Sequence, residues 1–309
     1  MDSRPVLWGN LAGIANNLLW ATTIPVTEML LATWPPFVLA AGRLMTAALG
    51  ILLLFPLLRR KLDLKSIPWR SVAKLGGLYM APSVVLMVWG QDLSDTVAAA
   101  VVLTTMPLVS ALMGFVQGTE RLRLTLLLGV LLAMLGGTIA AGTFDEGAPD
   151  FRGGEIIVLG SITLWALFSR ATVRELGGHD SLAQSFVTVG TAGVVLSLFS
   201  TGLVGGGLVP PITPTVREIL LLLWMGCIGV GMSLPLWLLS ARLLGVTVAS
   251  MHQNLLPFYV MALAVLLGQG RIEADMLAGA ALVSLGALIA QVPWDRLRRR
   301  PAPQTMPNR

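Results

Sequence analysis

Residues 118–137 read GTERLRLTLLLGVLLAMLGG, and residues 268–287 read GQGRIEADMLAGAALVSLGA. Laid over each other at an offset of 150, Gly118, Arg121, Gly129, Leu135 and Gly136 meet Gly268, Arg271, Gly279, Leu285 and Gly286. The same offset brings Pro107 onto Pro257 and Ala99 onto Ala249. An offset of 145 lays Leu19-Trp20-Ala21 over Leu164-Trp165-Ala166 and Thr27 over Thr172. Three blocks in consistent order make the chain two copies of one half.

The composition says what each half is made of. Of 309 residues 55% are hydrophobic and 12% charged, and the mean hydropathy is +0.79. Soluble chains are about 25% charged, so an ordinary soluble domain is excluded. Apolar windows of helical length fall at 8–30, 36–58, 72–90, 96–117, 125–142, 154–174, 182–203, 217–240, 246–267 and 276–292, each near the ~20 residues that a membrane crossing needs. Pro and Gly punctuate the gaps, as at Trp34-Pro35-Pro36 and Pro210-Pro211. The expectation is an all-α polytopic membrane protein. Its ten transmembrane helices are expected to form two five-helix repeats. Five is odd, so the second repeat enters the membrane from the opposite side and the repeats are inverted, an arrangement used by secondary transporters. The predicted divisions are 1–144 for the first repeat, 145–153 for a periplasmic linker, 154–292 for the second repeat and 293–309 for a basic cytoplasmic tail.

Charge sets the orientation through the excess of Lys and Arg in cytoplasmic loops. With both termini inside, the inner segments hold Arg4, the run from Arg59 to Lys74, Arg121, Arg123, Arg170, Arg174, Arg242 and the C-terminal arginines, 17 of the 21 basic residues. The outer segments hold Arg152, Arg217 and Arg271 beside Asp92, Asp95, Asp145, Glu146, Asp150, Glu273 and Asp275. A multi-pass protein of the inner membrane with cytoplasmic termini is predicted. Spread over short loops without an aromatic platform, the basic residues do not form a nucleic-acid site. There is no Walker loop, so no ATPase subunit is implied, and the lone Cys227 provides neither a disulfide framework nor a thiolate metal site. No paired carboxylates or metal-spaced His and Asp argue for an enzyme, and no cofactor is expected.

The residues in this frame resemble a known family. Leu19-Trp20-Ala21-Thr22-Thr23, Gly42-Arg43-Leu44, the Pro107 helix followed by Gly118-Thr119-Glu120, and Leu135-Gly136-Gly137 are similar to an EamA domain, with a weaker copy in the second half. The resemblance covers nearly all of the chain. It implies the drug/metabolite transporter superfamily, with two EamA repeats, a central cavity and export of small metabolites such as amino acids. Glu28 stands where many relatives carry a basic residue, and Gly270 replaces the acid that Glu120 supplies in the first half. A small-molecule substrate and membrane lipid are the expected partners, and the reading is compatible with a monomer. The alternative is a membrane interaction protein or lipid-handling scramblase on the same fold.

Several residues are candidates for the cavity. Arg43 lies ~12 Å inside helix two at 1.5 Å per residue, where a charge costs at least ~2.5–3.5 kcal/mol on the insertion scale. It either holds an anionic group such as a carboxylate or pairs with Glu28 as a gate. Asn16, Trp20, Thr23 and Thr27 share one face of helix one, and Ser161, Trp165, Ser169 and Thr172 share one face of helix six. Such polar stripes with a central Trp either wall a cavity or let helices pack closely. His252, Gln253 and Asn254 precede Pro257, and Thr104 and Thr105 precede Pro107 at the repeat-related place. Paired broken helices of this kind point to a midplane binding site. His252 is either a proton carrier or a neutral tie between helices. Tyr79 and Trp89 in helix three and Trp224 and Trp237 in helix eight are further lining candidates. Glu28, Pro82, Pro107, Pro235 and Pro257 are candidate gating residues, with Pro82 and Pro235 expected to break their helices.

Overall fold

A computed structural model describes residues 4–94, 102–121, 123–140, 153–256, 258–259, 262–263 and 274–291. Among these residues there is no strand, and described helix falls within each of the ten apolar windows. The helices are α1 (Arg4–Ala21), α2 (Thr23–Leu31), α3 (Pro36–Leu57), α4 (Trp69–Leu93), α5 (Met106–Val116), α6 (Leu124–Ala140), α7 (Gly154–Glu175), α8 (Ser181–Gly205), α9 (Val216–Leu244), α10 (Val246–Met251) and α11 (Ala274–Gln291). Five of them, α3, α4, α7, α8 and α9, are long and apolar enough to cross a membrane by length and composition. The remaining windows hold shorter or less apolar described helix. The linker at 145–152, the tail and Pro257 lie outside the described residues.

Local chemistry explains the ends and the irregularities. The Asp180 side chain caps α8 by accepting from the Ala183 amide (2.8 Å), and Thr215 with Glu218 forms a capping box at the start of α9. Helix one, expected as a single rod, is interrupted at Thr22. Pro25 has no N–H to give the Ala21 carbonyl, and Thr22 and Thr23 turn their hydroxyls back onto the carbonyls of Leu19 and Trp20 (2.7 Å each). Pro82 does not break its helix as expected, whereas the helix of Pro235 is interrupted by a two-residue turn at Gly231–Met232 and resumes at Ser233. Ala73–Met80 and Trp224–Val230 run as π-helix, and the Ala81 and Gly231 amides reach five residues back to Gly76 and Gly226. At Pro82 the wider turn absorbs the missing proline donor and the helix runs on. Pro107 does follow a break, a turn at Thr105, and the His252–Leu255 segment tightens into a 3-10 helix.

The sequence repeat becomes a set of antiparallel pairs. On α6 and α11, a Cβ at Gly129 would stand 2.5 Å from the Gly286 carbonyl oxygen, and one at Gly136 would stand 2.5 Å from that of Gly279. These are the glycines that the 150-residue offset superposes. Helices α3 and α8 also pair antiparallel, with Phe37 against Phe199 and Phe55 against Phe186 (centroids 5.9 Å apart in both) and the Ser200 hydroxyl on the Phe37 carbonyl (2.8 Å). Since each pair joins equivalent helices of the two halves head to tail, the halves are inverted. The remaining packing follows the same exchange, α1 lying on α9 and α7 on α4. Leu53, Leu57, Leu78, Leu131, Ile156 and Leu198 stand exposed on the outside, a surface that hydrocarbon would cover.

Replacing Gly136 with Leu should force α6 and α11 apart, because the obstacle is backbone. The expected loss is about 1–3 kcal/mol, read as a lower melting temperature in detergent. Gly202→Ala, where an added Cβ meets open space, should melt no lower than the parent.

Candidate functional site

Both halves converge on one cavity of about 80 Å³, lined by Asn16 and Trp20 of α1, Arg43 and Leu44 of α3, Met80, Ser83, Val84 and Met87 of α4, Leu103 and Met106, Ser161, Ile162 and Trp165 of α7, Val230, Ser233, Leu234 and Trp237 of α9, and Gln253. That is room for roughly five waters. Two repeat-related ties hold its walls. Ser83 and Ser161 each donate a hydroxyl to the other's carbonyl (3.0 and 2.7 Å). At the equivalent α1–α9 contact the Asn16 amide, oriented so that both of its polar atoms are satisfied, donates its nitrogen to the Ser233 carbonyl (3.0 Å). Trp165 and Trp237 face each other with centroids 6.1 Å apart, and the Trp237 Nε1 donates to Ser169 Oγ (3.0 Å).

Two donors remain. Arg43 is buried, at 8% exposure, and its guanidinium has no hydrogen bond or ion pair among the described residues. The Trp165 Nε1 is buried with no partner among them either. Glu28 is not the partner of Arg43. It is exposed, because it follows the buried Thr27 by one residue and so points about 100° away around the helix.

Of the predicted cavity residues, Asn16, Trp20, Arg43, Trp165 and Gln253 reach the wall, together with Trp237. The others do not. Thr23 is buried over Gly229, Ser169 is taken up by Trp237, and half-buried Tyr79 packs on the apolar core. Thr105 bonds its own turn at Val102 (2.6 Å), while the Asn254 amide donates to the Thr104 carbonyl (3.2 Å) and so joins α10's 3-10 extension to the start of the Pro107 helix. His252 sits against Gly13 of α1 and its Nε2 donates to Asn10 Oδ1 (3.0 Å). Trp89 packs on Phe37, and the Trp224 Nε1 donates to Thr22. Successive residues in a 3-10 turn point about 120° apart, so the polar run at 252–254 splits three ways and Gln253 alone of the three lines the cavity.

Ser83 and Ser233 were missed, as was a polar cluster around Arg170. Its signal lay in the window itself, since Arg170 falls inside the sixth apolar window, four residues before that window ends.

The profile of the EamA-like transporter family matches residues 7–141 and 152–291. No curated protein sequence matches the chain significantly. A solved structure titled "Crystal structure of protein" is similar, with a TM-score of 0.76 at 19% identity, covering 94% of this chain and 98% of that one. At that identity the likeness speaks for the fold alone.

Because Arg43 is an uncompensated buried cation, Arg43→Met should leave the fold as stable or more stable, and Glu28→Gln should leave it unchanged. Melting curves in detergent test both. A clear loss of stability in Arg43→Met would mean that the guanidinium has a structural partner.

Proposed function

The chain belongs to the EamA-like transporter family, within the drug/metabolite transporter superfamily, and from that premise we propose that it exports small carboxylate-bearing metabolites, amino acids foremost, across the inner membrane. The observation that carries this reading is the unpartnered Arg43 in the cavity wall. A guanidinium presents paired donors that match a carboxylate, and in a water-poor cavity that bond weighs more than in solution. Trp165 adds a second donor, and Trp20, Trp165 and Trp237 supply ring faces for an apolar side chain.

Transport runs by alternating access. All ten windows cross the membrane with both termini inside, and the two inverted halves rock about the cavity they share. A cavity of about 80 Å³ is tight for all but the smallest amino acids, so loading of a larger one widens it as the halves part. Asn16, Ser83, Ser161 and Ser233 satisfy one another across the half interface, which leaves Arg43 as the group that gains most from substrate.

Flux into or out of proteoliposomes tests the reading, using a panel of amino acids, their decarboxylated amines, nucleosides and sugars, with and without a pH gradient. Amino acids should move and the amines should not. Arg43→Gln should raise the half-saturating concentration by roughly tenfold or more, and Trp165→Ala should lower flux while the protein stays monodisperse. Equal transport of the amines, or an unaltered Arg43→Gln, would reject the carboxylate assignment.

A further inference from the structure

Arg170 of α7 is not a solvated loop charge. Its side chain is 8% exposed and its Nη2 forms an ion pair with Glu120 Oε1 (2.9 Å). The same nitrogen donates to the Ser110 carbonyl of α5 (2.6 Å) and to Thr247 Oγ1 of α10 (2.7 Å), and the Thr247 hydroxyl donates in turn to Glu120 Oε2 (2.7 Å). Gly114 makes the space, since a Cβ there would stand 2.6 Å from Nη2. One guanidinium thus joins α5, α7, α10 and the turn after α5.

The place of this cluster gives it a role. The three helices line the cavity through Met106, Trp165 and, in the 3-10 turn that continues α10, Gln253. Ser110, Arg170 and Thr247 lie four, five and six residues from these, about 6–9 Å along each axis, all toward the end of the bundle that carries the basic loops. The cluster is also one-sided. Its repeat-related positions hold Pro25, Val97, Val260 and Gly270, which can form neither an ion pair nor a side-chain hydrogen bond.

We propose that the Arg170–Glu120–Thr247 cluster is a latch that seals the cavity at the basic end, so that the protein rests closed on that side and must part the latch to take up substrate. The proposal rests on the transporter reading. A latch without a counterpart at the repeat-related positions of the sequence biases the two access states unequally, as a difference in free energy between them requires.

The test uses a chain in which Cys227→Ala removes the native thiol and Val84→Cys places a reporter in the cavity wall. A membrane-impermeant maleimide is applied to oriented vesicles from each face, and Lys61→Cys in a parallel sample marks the face of the basic loops. In the parent the reporter should label slowly from the face that labels position 61. Glu120→Gln, and independently the milder Thr247→Val, should speed that labelling by roughly five- to tenfold and leave the opposite face unchanged or slower. Unchanged labelling from that face, with only a lower melting temperature, would make the cluster a structural tie and overturn the proposal. Faster labelling from the opposite face would overturn it too. Flux of the unsubstituted chain, measured in parallel vesicles, separates the two readings: an unsubstituted chain that moves none of the panel refutes the transport assignment, whatever the labelling shows.

Discussion

Four glycines hold the two halves together. At Gly129, Gly136 and Gly286 the backbones of α6 and α11 approach so closely that a methyl group has no place to go, and the obstacle at Gly136 is the Gly279 carbonyl. Apolar helices in lipid gain nothing by hiding from water, so their association depends on close van der Waals contact and on weak bonds between Cα–H groups and carbonyls. Both need small residues along the seam. Because the seam pairs the last helix of one half with the last helix of the other, head to tail, it fixes the inversion. The exchange of α1 onto α9 and α7 onto α4 then brings both halves to the same cavity.

That constraint also explains what could be read from the sequence. The glycines that revealed the repeat are the ones in contact, so a backbone restriction had left a mark in residue identity. Asn16 and Ser161, which the 145-residue offset also superposes, follow the same rule, since both bind a repeat-related carbonyl neighbour, Ser233 or Ser83. Less legible was the direction in which a polar side chain points. A 3.6-residue spacing says that Asn16, Trp20 and Thr23 share a face, but that face is wide enough to border the cavity with Asn16 and Trp20 and a packed neighbour with Thr23. Irregular backbone defeats the spacing altogether, as at His252–Asn254. Arg170 was hidden by a counting rule that treats every arginine near a helix end as loop charge, although its partners lie on two other helices and a turn, up to 77 residues away in the chain.

The polar groups around the cavity divide into those that satisfy one another and those that do not. Reciprocal serine contacts cost nothing to keep buried, and they set the distance between α4 and α7. Arg43 is different, since its burial is unfavourable until something negative arrives. The same division separates the two arginines at the heart of the bundle. Arg170 meets acceptors through its Nη2, the Ser110 carbonyl, Thr247 and Glu120, and serves to hold helices together, whereas Arg43 stands without any among the described residues. A chain under selection for stability alone would have replaced Arg43 with a hydrocarbon side chain.

The two π segments carry a record of descent. Residues 73–80 and 224–230 occupy equivalent places in the halves, 150 residues apart. A π turn holds more residues than an α turn, so each segment behaves as a helix lengthened within fixed ends. Two independent lengthenings at one equivalent place are a far less economical history than one. The lengthening is therefore placed most economically in one half before it was duplicated. The Arg170–Glu120 cluster, which has no counterpart at the repeat-related positions Pro25 and Gly270, marks where the two copies no longer match.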